Sequence, residues 1–397
     1  MVKKNTLIFW FVGYTLLILM VGANIPSPLY SVYQQQWGFS SGVLTLIFAI
    51  YAFVLIPSLL IFGQLSDRLG RKKVLLIGLL ISAAGSAVFA LSSNLILLFI
   101  ARGLQGLAAG MMSGTATAAL VELRPNHRKT ASLVASIATA GGTAVGPILG
   151  GVLAQYGPMP LILPYIVHLI LFIPGCITIF AMNETIKTKS TSRWHLQRPS
   201  IPVTLRTPFT MGAITAFAAW SVTALFMSLV PSYVSSLMGI HNLAITGGVV
   251  FLMLGASAVA QLTFKNLSFR ISMMSGLILL IVGLIGFVLA VPSQSITLLI
   301  ISTIITGLGQ GLAFMGSMQL VNEIAPANQR GNVVSTLYVV IYIGVGLPTI
   351  GIGFGAVWIG LYAAISIFTC FIVALATLMT VWIKVKLKTE MNNLVTQ

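Results

Sequence analysis

Apolar stretches long enough to cross a bilayer recur along the chain, separated by short polar connectors, and their spacing predicts twelve helices. A span needs about 20 apolar residues to cross roughly 30 Å of hydrocarbon. The first six fall at about 7–29, 42–63, 73–92, 95–120, 131–155 and 160–182, and the last six at about 208–236, 244–264, 271–290, 295–321, 331–353 and 358–383. Lipid gives the backbone no hydrogen-bond partners, so such spans must satisfy their own amides as helices. Residues 183–207 form the only long polar connection. They divide the chain into a six-helix bundle (1–182), a central loop and a second six-helix bundle (208–397) that ends in a short basic tail.

The second bundle repeats the first at a constant offset of 201 residues. At that offset Gly106 meets Gly307, Gly110 meets Gly311, Glu122 meets Glu323, Pro125 meets Pro326, Pro147 meets Pro348, and Gly150 meets Gly351. One offset held over three successive helices and a charged loop predicts an all-α membrane protein of two pseudo-symmetric halves, an architecture that hosts a solute site near the midplane.

Composition agrees, with 397 residues, 57% hydrophobic, 7% charged and a mean hydropathy of +1.03. A soluble domain carries roughly 25% charged residues. The net charge of +16 does not form one extended basic face; Lys and Arg sit in alternate connectors, which argues against nucleic acid. One side holds Lys3, Lys4, Arg68 to Lys73, Arg124, Arg128, Lys129, Lys187 to Arg206, Lys265, Arg270, Arg330 and the tail, and the other side holds none. The positive-inside rule therefore puts both termini and the central loop in the cytoplasm, as expected of a multi-pass protein of the inner cell membrane. The basic loop suits an anionic leaflet. Lys3 and Lys4 ahead of an apolar run imitate a secretion signal, but the repeat requires this run as a retained helix. Cys176 and Cys370 lie far apart inside apolar runs, and His127, His168, His195 and His241 are scattered, so neither a metal site nor a cofactor is expected.

Between the second and third helices the chain reads GQLSDRLGRKK, residues 63–73. This run resembles the signature loop of the major facilitator superfamily, with Gly63, Asp67, Arg68, Gly70, Arg71 and Lys72 as its switch residues. Its glycines permit tight turning, and Asp67 stands where it can meet Arg71 or the positive end of a helix. The resemblance implies that Asp67 caps the eleventh helix near Gly331 in one state and releases it in the other. Arg102-Gly-Leu-Gln105-Gly106 is similar to the family's second motif, and Gly142, Gly146, Pro147, Gly150 and Gly151 are similar to the fifth-helix motif of proton-driven exporters. Proline removes a backbone donor and bends a helix, while glycines four residues apart let another backbone approach. Residues 22–28, which contain Asn24, Pro26 and Pro28, resemble the first-helix motif of twelve-helix drug:proton antiporters.

A charge inside a span is costly and usually functional, which makes Arg102 the leading coupling candidate, the alternative being that it bonds carbonyls to hold helix 4 on helix 1. The five acids Asp67, Glu122, Glu184, Glu323 and Glu390 all fall outside the spans, a departure from antiporters that keep an embedded carboxylate. Asp67, Glu122 or His168 then stand as substitutes for proton transfer, with packing the competing role for His168. Glu122 with Arg128, and Glu323 with Arg330, are candidates for an inner gate of rearranging ion pairs. The family layout implies a cavity lined from helices 1, 4, 7 and 10, with Asn24, Gln105, Met112, Trp220, Phe226, Gln310, Phe314 and Met318 as candidates. Aromatic and thioether side chains suit amphipathic organic compounds.

The expected protein is a monomeric secondary transporter, not an enzyme, that exports small organic molecules in exchange for protons. The alternative is a dedicated exporter or importer of one metabolite. A primary pump would need a phosphate-binding loop of the GxxxxGK[ST] type, which the chain lacks.

Overall fold

The computed structural model describes residues 2–186, 201–326 and 329–395, with side chains over 6–386 of those ranges. The middle of the expected central loop, 187–200, and the side chains of Lys3, Lys4 and Glu390 lie outside the described residues.

The described residues form helices and no strand: α1 (Val2–Asn24), α2 (Pro26–Trp37), α3 (Ser41–Leu69), α4 (Arg71–Ala90), α5 (Leu95–Leu123), α6 (Arg128–Tyr156), α7 (Leu163–Ala181), α8 (Arg206–Ser228), α9 (Val230–Leu237), α10 (Leu243–Thr263), α11 (Phe269–Leu289), α12 (Ile296–Ile324), α13 (Arg330–Ile359) and α14 (Leu361–Val395). Two of the expected spans, 7–29 and 208–236, are each split. The break between α1 and α2 precedes Pro26, and the break between α8 and α9 precedes Pro231, because the ring nitrogen of proline has no hydrogen to donate to the fourth residue back. Among the described residues, with α1 and α2 counted as one span and the short α9 left aside, twelve helices are long and apolar enough to cross a bilayer.

The duplication extends to local caps. Asn94 accepts from the Leu97 amide at 3.1 Å to start α5, and Ser295, 201 positions later, accepts from the Leu298 amide at 3.1 Å to start α12. Each cap satisfies one of the amides that a helix start leaves unpaired.

Two compact units emerge: residues 1–38, 50–196 and 242–251 in one, and 39–49, 197–241 and 252–397 in the other. In the first unit α1 packs on α5, α6 and α7, and α4 on α5 and α7. The second repeats the plan, α8 packing on α12, α13 and α14, and α11 on α12 and α14. Glycines at the repeat offset do the same job in each unit. A methyl on Gly106 would strike the Tyr51 carbonyl of α3, and one on Gly307 would strike the Met253 carbonyl of α10. Gly110 likewise faces Ser58, and Gly311 faces Ser257. Small residues permit this backbone approach, which in lipid replaces hydrophobic burial as the source of helix association.

Candidate functional site

The first cluster grows from the break in α1. Gly22 lies four residues before Pro26, so its carbonyl loses its helical donor. Gln105 of α5 supplies one, its Nε2 donating to Gly22 O at 2.9 Å. Arg102, one turn earlier on α5, donates from Nη1 to Ala23 O at 2.8 Å and to Gln105 Oε1 at 2.9 Å. Its guanidinium also lies over the Tyr51 ring, 4.5 Å from the centroid, a cation–π geometry. Both side chains are 2% exposed. The broken helix is thus stitched from outside by an arginine and a glutamine, and Asn24 bonds back to Met20 O at 2.7 Å. At the repeat positions of Arg102 and Gln105 the second unit has Thr303 and Thr306, both fully buried. The repeat positions therefore carry different chemistry in the two units.

His168 of α7 sits inside the same unit, fully buried. One ring nitrogen, Nε2, lies 3.0 Å from Ile18 O, and the other, Nδ1, lies 2.8 Å from Ser86 Oγ. Phe172 meets the ring edge-on at 4.6 Å. The imidazole occupies the space that a side chain at Gly22 would need.

The α6 glycines form a seam. Methyl groups on Gly142, Gly146 and Gly150 would collide with the carbonyls of Leu17, Val21 and Ile25 in turn, so this face of α6 lies backbone to backbone along α1. Pro147 and Gly151 present an adjoining face to α10, with the Pro147 carbonyl against Gly247 and Gly151 against the Leu243 carbonyl. Gln155 Oε1 accepts from the Leu243 amide at 2.8 Å, capping α10.

A charged cluster occupies the α3–α4 turn. Arg71 pairs with Asp67, one turn back, and with Glu122 of α5, whose Oε1 accepts from Nε at 3.2 Å and from Nη2 at 3.1 Å. Ser66 accepts a further bond from Nη1. Glu184, just past α7, accepts from the Arg71 amide at 2.8 Å and so caps α4 at its positive end. Gly70 makes this possible twice over, with a left-handed φ of 102° and no side chain in the way of Glu184. Thr185 donates to the second Glu122 oxygen. Arg68 and Gly63 are exposed. Lys72 lies over Phe180 at 5.7 Å. Among the described residues the salt bridges of Glu122 run to Arg71 rather than Arg128, and Glu323 and Arg330 form none.

Of the cavity candidates, Trp220, Phe314 and Met318 remain partly open on the second unit, where the Trp220 and Phe314 rings meet edge-to-face at 5.4 Å. Gln310 is buried and accepts from Ser257 Oγ. Met112 packs against Gly78 and Phe226 against Phe287, both fully buried. Asn24 and Gln105 belong to the α1 cluster. The residue missed in the sequence is Glu184. Its signal was an acid immediately after an apolar run, but nothing along the chain pointed it at the start of α4, 113 residues away.

Twelve candidate spans among the described residues, a packing plan repeated in two units and a buried arginine in one of them are the build of a polytopic membrane protein. The model of the Major Facilitator Superfamily matches residues 12–348, so the chain belongs to that superfamily. It is similar to the quinolone resistance protein NorA of Staphylococcus aureus strain MRSA252, 26% identical over 60% of this chain and 62% of that protein. It is similar to the multidrug resistance protein MdtG of Dickeya zeae strain Ech586, 27% identical over 65% of this chain and 64% of that protein. Both matches thus span less than two thirds of the relative's own length. A bacterial homologue of the human lysosomal transporter Spinster, solved inward-facing and unoccupied, shares the fold with a TM-score of 0.78 at 13% identity, over 97% of this chain and 98% of that one. The nucleoside transporter NupG does so with a TM-score of 0.77 at 13% identity, over 95% and 99%.

Proposed function

We propose that the protein exports small amphipathic organic compounds across the cell membrane in exchange for protons, by alternating access, as a monomer with both termini in the cytoplasm. The observation that carries this reading is the partly open wall of Trp220, Phe314 and Met318 in a chain whose relatives are named for quinolone and multidrug resistance. Flat aromatic and flexible thioether surfaces accept varied apolar ligands. Arg102 is withdrawn into bonds with α1 and the amide of Gln105, so it acts on the shape of α1 and not as a ligand charge. Proton exchange is assigned to Asp67 and Glu122. Both are carboxylates on one arginine, and protonating either leaves Arg71 to the other.

A strain expressing the protein is expected to tolerate several unrelated toxic compounds, a quinolone among them, better than one expressing an empty vector. Tolerance to none would favour the second reading, a carrier dedicated to one metabolite. The sequence put all five acids outside the spans, but Asp67, Glu122 and Glu323 fall in the last turn of α3, α5 and α12, because these helices run on past their apolar stretches. The second reading draws on the described spans holding no carboxylate nearer their middle, where one would select cations.

A further inference from the structure

The hydrogen bonds of His168 determine its tautomer. A backbone carbonyl can only accept, so the nitrogen 3.0 Å from Ile18 O, Nε2, carries a proton. In the neutral ring Nδ1 is then an acceptor, and the Ser86 hydroxyl 2.8 Å away donates to it. Phe172 closes the remaining edge, and among the described residues neither ring nitrogen meets a charged side chain. Gly22 opens the space the ring fills, because a methyl there would overlap Nε2 and Cε1. The same Gly22 presents its carbonyl to Gln105, which in turn accepts from Arg102. A buried imidazole from α7 therefore grips α1 one turn before its break, on the residue whose carbonyl anchors the α5 pair.

We propose that His168 is a positioning residue for Arg102: as a neutral Nε2–H imidazole wedged against Gly22, it holds the end of α1 so that the Gly22 and Ala23 carbonyls face Gln105 and Arg102. It carries no proton during transport. The grip itself stands on the geometry of one unit, and its consequence for transport rests on the export reading.

Two experiments test it separately. In protein labelled on histidine and carrying H127N, H195N and H241N, solid-state NMR of the remaining ring is expected to show the neutral Nε2–H form from pH 5.5 to pH 8. A cationic ring or an Nδ1–H ring in that interval overturns the proposal, whatever the transport result. In proteoliposomes, H168F removes both bonds while keeping a ring, and is expected to lower quinolone counterflow at least tenfold. H168Q, with one N–H donor and one carbonyl acceptor, is expected to recover most of that loss with the wild-type pH profile. H168F combined with R102A is expected to be no worse than R102A alone, since both act through the same contact. Wild-type transport by H168F, or a pH profile flattened in H168Q, contradicts the proposal. If wild-type protein moves no compound, the export reading fails and the NMR spectrum decides the wedge on its own.

Discussion

Arg102 shows what a buried charge can do inside a span. It bridges the Ala23 carbonyl and the Gln105 amide oxygen and rests on Tyr51. Removing it leaves two buried acceptors short of a donor, about 1–3 kcal/mol each. R102A is expected to reduce quinolone transport at least tenfold and to lower the melting temperature in detergent. R102K keeps the charge but not the planar guanidinium over Tyr51, so it is expected to recover only part of both; full recovery would show that charge alone suffices. At the α3–α4 turn, E184A removes the acceptor of the Arg71 amide. That cap is worth roughly 1 kcal/mol, and the loss is expected as a lower midpoint in thermal unfolding, with E184Q intermediate. An unchanged midpoint in E184A would contradict the assigned cap. The sequence marked Arg102 because a charge in an apolar run stands out. Bonding to carbonyls of the first helix stood there as the alternative role, but which carbonyl it takes, that of Ala23, could not be read, since a backbone carbonyl carries no residue signature.

The helices repeat that lesson at larger scale. Glycines at 142, 146 and 150 announced a close-packed face of α6, but only the folded chain shows that the face lies on α1 at Leu17, Val21 and Ile25. Pro26 and Pro231 sit inside runs that the sequence delimits only as single spans, because apolar runs do not stop at a proline that the membrane tolerates, and the folded chain shows where each break falls. The neighbouring glycines 141 and 142 give a controlled comparison. A methyl at Gly142 meets the Leu17 carbonyl and one at Gly141 meets nothing within 4 Å. G142A is expected to cost roughly 1–3 kcal/mol of stability by overpacking, whereas G141A is expected to leave the thermal midpoint unchanged or slightly raised. Equal effects of the two would rule out the α6–α1 seam as described.

At the scale of the molecule, the 201-residue offset read in the chain reappears as paired caps at Asn94 and Ser295 and as paired glycines at 106 and 307. The twelve spans were legible because hydrocarbon imposes one length on every crossing. Less legible was how the halves differ. Arg102 and Gln105 stitch the broken helix of the first unit, where the repeat positions of the second hold Thr303 and Thr306, and the partly buried aromatic pair of Trp220 and Phe314 belongs to the second. Fold comes from the repetition, and the proposed chemistry comes from departures from it.

Uptake of a fluorescent quinolone into proteoliposomes under an imposed pH gradient tests the central claim most directly. An acidic lumen is expected to drive accumulation well above that of protein-free liposomes, and a protonophore is expected to abolish the excess. E122Q, which leaves Arg71 to Asp67, is expected to slow the gradient-driven component more than counterflow without a gradient. Accumulation that is the same with and without the gradient would contradict proton exchange, and none above protein-free liposomes would contradict export of this class of compound.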